Sequence, residues 1–140
     1  MAVLAGAGAH ELESAWARLS RHPEYETLRG PETGLVMVRG RIGGSGGAFN
    51  LGEMTMTRCA IRLRAATGEA AVGFGFVAGR NARHAELAAI FDALLQSDSE
   101  SERIRRDVIE PLDAARRARK SDAAAKAAAT RVDFFTMVRE

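Results

Sequence analysis

Arginine is the side chain in this sequence best suited to chemistry. Arg39 and Arg41 stand two apart near the end of one β-prone stretch, and Arg58, Arg62 and Arg64 lie along the next. A guanidinium presents a planar fork of donors that matches phosphate and carboxylate oxygens. The set could therefore hold an anionic substrate, a phosphate or a nucleic-acid backbone. The plainer account is solvation, because a half-exposed sheet carries its charges on the wet face. Arg58 departs from that account. It shares a strand face with Met54 and Met56, which predicts partial burial and a need for an acidic partner, with Glu53 the candidate. With the polar neighbours of these arginines, the candidate interface or anion-binding positions are Arg39, Arg41, Asn50, Glu53, Thr55, Thr57 and Arg58. Phe134 and Phe135, in an apolar tail, join them as interface candidates.

Other chemistries lack their parts. The run Gly43-Gly44-Ser45-Gly46-Gly47 could cradle phosphate, but a phosphate loop closes on Gly-Lys-Ser/Thr and opens a helix. Here Ala48-Phe49-Asn50 and a strand follow, so a hairpin loop is the better reading. His10, His22 and His84 fall at a helix start, a loop and a helix start, without the spacing of metal ligands. Cys59 sits alone on the apolar side of a strand and reads as a small core thiol. The carboxylates are scattered as salt-bridge partners. No catalytic or metal-binding residue is expected.

The elements that must position these residues are legible from periodicity. Leu12, Ala15, Trp16 and Leu19 mark one face of an N-terminal helix, separated by Gly6 and Gly8 from a shorter segment and closed by Pro23. Residues 23–33 read as a polar connection ending in a turn. A strand from Leu35 to Arg41 has apolar residues on both sides, which predicts burial on both faces near its start. The next, Phe49 to Arg64, exceeds the usual length of about five or six residues, and its apolar side changes phase, which predicts a bulge near Thr57-Arg58. Thr67-Gly68 then turns the chain into a third strand, Ala71 to Val77, where Gly73 and Gly75 make room for a close neighbour. Asn81 caps a helix with Leu87, Ile90, Phe91, Leu94 and Leu95 on its apolar face. Ser99 and Glu102 have capping-box spacing ahead of a helix carrying Ile104, Val108 and Leu112, kinked or restarted by Pro111. An alanine- and arginine-rich helix follows to Ala129, and Val132–Val138 forms a β-prone tail that must dock. The class is α+β: N-terminal helices, an antiparallel β-sheet core with a Gly-rich hairpin, then C-terminal helices and the tail.

Composition narrows the class further. The 140 residues are 46% apolar and 27% charged, enough for one domain, residues 1–140, that buries roughly two-thirds of its unfolded surface. A net charge of +2 gives no licence for nucleic-acid binding. The basic segment 114–131 is a weak candidate arm, because acids alternate with its basic residues (Asp113 at its edge, Asp122 within it) and no aromatics interleave. A single cysteine fits a reducing compartment. No apolar run reaches the ~20 residues of a membrane span, and Met1-Ala-Val-Leu-Ala-Gly-Ala carries no charged leader. A cytoplasmic protein is expected, and the abrupt, uncapped opening predicts a natural start earlier than Met1.

The runs Leu28-Arg-Gly-Pro-Glu-Thr-Gly-Leu-Val-Met-Val-Arg-Gly-Arg41, Gly43-Gly44 and Phe49-Asn-Leu-Gly-Glu-Met-Thr-Met-Thr-Arg-Cys59 closely resemble the PhnG subunits of bacterial carbon–phosphorus lyase systems. The ending Val132-Asp-Phe-Phe-Thr-Met-Val-Arg139 is similar to that family's terminus. The resemblance implies a subunit of a core complex with PhnH, PhnI and PhnJ, with PhnK and PhnL associated. It implies a part, with PhnH, PhnI and PhnL, in exchanging the adenine of MgATP for a phosphonate at ribose C1. The product would be a ribose 1-phosphonate 5-triphosphate, whose carbon–phosphorus bond the radical enzyme PhnJ later breaks. The nucleosidase chemistry falls to PhnI, so this subunit is expected to bind no cofactor and have no activity alone. Leu51–Cys59 and Val132–Val138 then become scaffold and interface elements. Two rivals stand beside this one: a subunit that lends an arginine or threonine to the substrate's anionic groups, and a stand-alone nucleic-acid-binding module.

Overall fold

The computed structural model of the protein describes residues 1–64 and 70–130. Two short helices open the chain, α1 (Ala2–Gly6) and α2 (Ala9–Ala17). Glu11 in the first turn of α2 accepts from the Gly8 N–H, serving one of the donors a helix start leaves unpaired. Leu12 and Ala15 are buried, and Trp16 and Leu19 pack on the core, as their spacing predicts.

Three strands follow as an antiparallel meander in the order β1-β2-β3. β1 (Tyr25–Arg41) begins well before Leu35 and takes in most of the stretch that reads as a polar connection. Pro31 is tolerated because β1 is an edge strand and its pairing slips there. Arg29 faces Ala60 and Glu32 faces Arg58, leaving Gly30 and Pro31 against Cys59 alone. The irregularity predicted in β2 (Ala48–Leu63) near Thr57-Arg58 thus belongs to the neighbouring strand. β2 itself keeps an unbroken register with β3 (Val72–Ala78), from Met56↔Ala78 to Arg62↔Val72. Its own slip comes at Leu51, between Val38↔Gly52 and Arg39↔Asn50. The apparent change of phase has another cause. Cys59, Ile61 and Leu63 face the core, whereas Met54 and Met56 lie on the opposite, largely uncovered face. The expected Thr67-Gly68 turn lies outside the described residues.

α3 (Ala82–Leu94) is the centre of the core. The Asn81 side chain accepts from the His84 N–H at 2.9 Å, the predicted cap. The helix is buried on nearly every side, through His84, Ala85, Leu87 to Phe91, Ala93 and Leu94, as expected of a helix enclosed between layers. On one side it lies on β2 and β3. A Cβ at Gly73 would come within 2.0 Å of the Ala89 carbonyl oxygen, and one at Gly75 within 1.9 Å of that of Ala85. Alanines on the helix and glycines on the strand therefore let the two backbones meet. On the other side α3 meets Leu4, Leu12 and Ile104 from the remaining helices. The His84 ring lies 2.9 Å from the Leu4 carbonyl and pins α1 in place.

α4 (Ser101–Ile104) runs through a widened turn, Arg105–Ile109, into α5 (Glu110–Ala129). The Ser99 capping box does not form. The Ser97 carbonyl already accepts from Glu100 and Ser101, so the turn starts earlier, and the Ser99 hydroxyl pairs with that of Ser97. The widened turn answers Pro111, whose ring would crowd the carbonyl four residues back and whose nitrogen has no proton to give it. Ile104, Val108 and Leu112 are buried as their spacing predicts, and beyond them α5 is almost wholly exposed.

Candidate functional site

β3 pairs with β2 only over Met56 to Arg62, while β1 and β2 stay paired out to Arg41↔Ala48. The seven pairs from Leu35↔Thr55 outward form a two-stranded arm about 20 Å long. Isolated two-stranded ribbons are marginal in water, and a helix or third strand normally covers one side. Here neither does. Ile42 is 75% exposed, Leu35 63%, Leu51 62% and Met37 50%. Apolar residues on both sides of β1 predict burial on both faces, and the described fold leaves both faces bare.

The apolar surface continues onto the sheet face away from α3. Gly73 and Gly75 point at the helix, so alternation turns Phe74 and Phe76 outward, where both are close to half exposed. The sequence carried this signal, since the glycines needed for a close neighbour fix the opposite side of the strand. Glu32, Gly34, Val36, Met56, Arg58 and Phe76 line a depression of about 210 Å³ on this face. Glu32 and Arg58 in its lining are ion-paired, and further pairs lie along the same strands. Arg58 donates to Glu32, Arg29 reaches the same carboxylate at 2.8 Å, and Arg62 lies 3.9 Å from Glu26. The Arg58 side chain is half exposed, and its partner is Glu32 rather than Glu53. Glu53 faces the other way, opposite Met37. The Arg58 hydrogen bond, with help from Arg29, holds the Glu32 carboxyl below its usual range.

Arg39, Arg41 and Asn50 come together at the far end of the arm. Arg39 pairs across the ladder with Asn50, and Arg41 with Ala48. A depression of about 390 Å³ there is lined by Arg39, Gly40, Arg41, Gly44 and Ala48. Thr55 lies at the root of the arm, half-buried opposite Leu35. Thr57 is only 1% exposed and faces the core, where its hydroxyl donates to the Gly79 carbonyl at 2.7 Å and lies 3.1 Å from the Thr33 hydroxyl. That hydroxyl is committed to the fold. Phe134 and Phe135 lie outside the described residues.

Groups able to run a reaction are not gathered anywhere in the described part of the chain. Among those residues no cluster of His, Cys, Asp and Glu could hold a metal ion. His22 stacks on Trp16 at 4.3 Å. Cys59 is buried, and that burial raises its thiol pKa, the opposite of what an activated nucleophile needs. On α5, Arg116 and Arg117 are paired with Asp113, and Arg119 with Glu11, so the nucleic-acid reading gains no unbroken basic stripe. No helix among the described residues is long and apolar enough to cross a membrane.

The sequence model of a family described as phosphonate metabolism protein PhnG matches residues 1–140. A relative from Rhizobium meliloti (strain 1021), the alpha-D-ribose 1-methylphosphonate 5-triphosphate synthase subunit PhnG, is 51% identical over 142 aligned residues. That alignment covers 99% of this chain and 86% of the relative.

Proposed function

Because the chain belongs to the PhnG family of phosphonate metabolism proteins, we propose that it is an assembly subunit of a cytoplasmic carbon–phosphorus lyase core complex. Its partners are PhnH, PhnI and PhnJ, with PhnK and PhnL associated. Together with PhnH, PhnI and PhnL it takes part in converting MgATP and a phosphonate to ribose 1-phosphonate 5-triphosphate with release of adenine. The chain itself binds no cofactor, and MgATP is the substrate of the whole complex. The bare arm carries this reading. An apolar ribbon exposed on both faces, running onto an equally apolar sheet face, is surface of the kind that interfaces bury. Aromatic and Met side chains at its centre, with paired arginines around them, match the composition of interface cores and rims.

Co-purification tests the reading. Leu35→Asp combined with Leu51→Asp places two charges on the arm without touching the core. Buried anchor residues are each worth about 2 kcal/mol or more in an interface, so the double variant is expected to lose at least tenfold in recovery with a PhnI-type partner. Its thermal unfolding should match the unaltered chain. Wild-type recovery of the complex by this variant would sink the proposal.

A further inference from the structure

The arm ends in two cations that have no ion-pair partner among the described residues. Arg39 and Arg41 point to one side of β1, about 6–7 Å apart along the strand. Their cross-strand neighbours on that side are Asn50 and Ala48, neither of them acidic. Glu53 is the next residue on that side toward the root, two pairs away opposite Met37. Among the described residues Arg39 and Arg41 join no ion pair, whereas Arg29, Arg58 and Arg62 on the same sheet are all paired with glutamates. The Arg41 Nη1 donates to the Gly46 carbonyl at 3.0 Å, which holds the guanidinium over the loop and leaves its other N–H groups free. Gly43 and Gly44 turn back there with φ of 61° and 79°, so the loop returns without side chains that would fill the space. The resulting depression, about 390 Å³, is shallow and open to solvent, so a ligand there is held by the arginine forks and not by enclosure.

From these features we infer that the arm tip is a polyphosphate-binding site, with Arg39 and Arg41 forking onto neighbouring phosphoryl groups and the Asn50 amide beside them. Two cations without carboxylate partners among the described residues suit a multiply charged chain of phosphoryl oxygens better than a single neutral group. The inference rests on the proposed function for the identity of the ligand. In a synthase of a ribose 5-triphosphate that polyanion is the triphosphate of the nucleotide. Seating the arm against a partner would carry both arginines to the substrate and remove the water that weakens such contacts.

Calorimetric titration of the full chain with inorganic tripolyphosphate at 0.15 M salt tests this. One saturable site is expected. Arg39→Ala and Arg41→Ala should each weaken it about tenfold or more, and Arg→Lys changes should weaken it less, by keeping the charge but losing the fork. Lys126→Ala, on an exposed part of α5, should leave it unchanged. The same titration on the co-purified complex compares the double Arg39→Ala, Arg41→Ala variant with the unaltered subunit. Because the double variant should still co-purify, a loss of tripolyphosphate binding is separable from a loss of assembly. Unchanged affinity in the double variant, or binding that sulfate at equal ionic strength abolishes, overturns the site. So does the absence of any difference between variant and unaltered complexes.

Discussion

At the scale of single residues, position on a strand face separates the candidates more sharply than chemical type does. Thr55 and Thr57 are two apart on the same strand, yet the first is half-buried at the root of the arm and the second is fully buried. The Thr57 hydroxyl links β2 to the Gly79 turn and to Thr33. Thr57→Val keeps its shape but strands the Gly79 carbonyl, which should cost about 1–3 kcal/mol in urea unfolding and leave tripolyphosphate binding as it was. A variant as stable as the parent would show that the hydrogen bond adds nothing. Arg58 illustrates the same rule. Its neighbours in sequence suggested burial and Glu53 as partner, but the face shared with Met54 and Met56 is the open one, and the slip in β1 brings Glu32 opposite it instead.

At the scale of elements, the contact between α3 and β3 sets the geometry of the sheet. Helix and strand approach until carbonyls of the helix touch the strand's α-carbons, which only glycine at 73 and 75 allows. That approach in turn drives Phe74 and Phe76 outward. Gly75→Ala puts a methyl group against the Ala85 carbonyl, where neither backbone can yield without lifting the helix off the core. The expected loss is about 3 kcal/mol or more, read as a lowered urea midpoint, with Gly73→Ala behaving alike. Glycine-to-alanine changes at Gly30 or Gly34, where a Cβ meets nothing within 4 Å, are the matched controls. The arm needs no such precision, since its register is held by the β1–β2 ladder alone.

At the scale of the whole molecule, helices far apart in sequence, α2 and α5, are tied together by charge. Arg119 on α5 donates to the Glu11 carboxylate on α2 at 2.8 Å. That bond, with the Gly8 N–H, holds the Glu11 carboxyl below its ordinary value of 4.5. A carboxyl held down in the folded state contributes stability that is present above its unfolded value and is lost as pH falls through the folded one. Stability should therefore decline below about pH 4.5, and Glu11→Gln should flatten that limb in thermal melts taken across the acid range. An unaltered acid limb would exclude this tie as its source. The sequence by itself determined the family, the α+β order of elements, the Asn81 cap, the apolar faces of the helices and the room that Gly73 and Gly75 make for a close neighbour. Each of these is written in local spacing or in a long, specific string of residues. Only the tertiary structure decided which side of the sheet α3 covers, that β1 begins at Tyr25 and slips around Pro31, and that β1 and β2 outrun β3 into an arm no other described element covers. Those outcomes depend on the register between distant strands and on where one layer stops. A run of apolar residues looks the same in sequence whether its own chain buries it or leaves it for another.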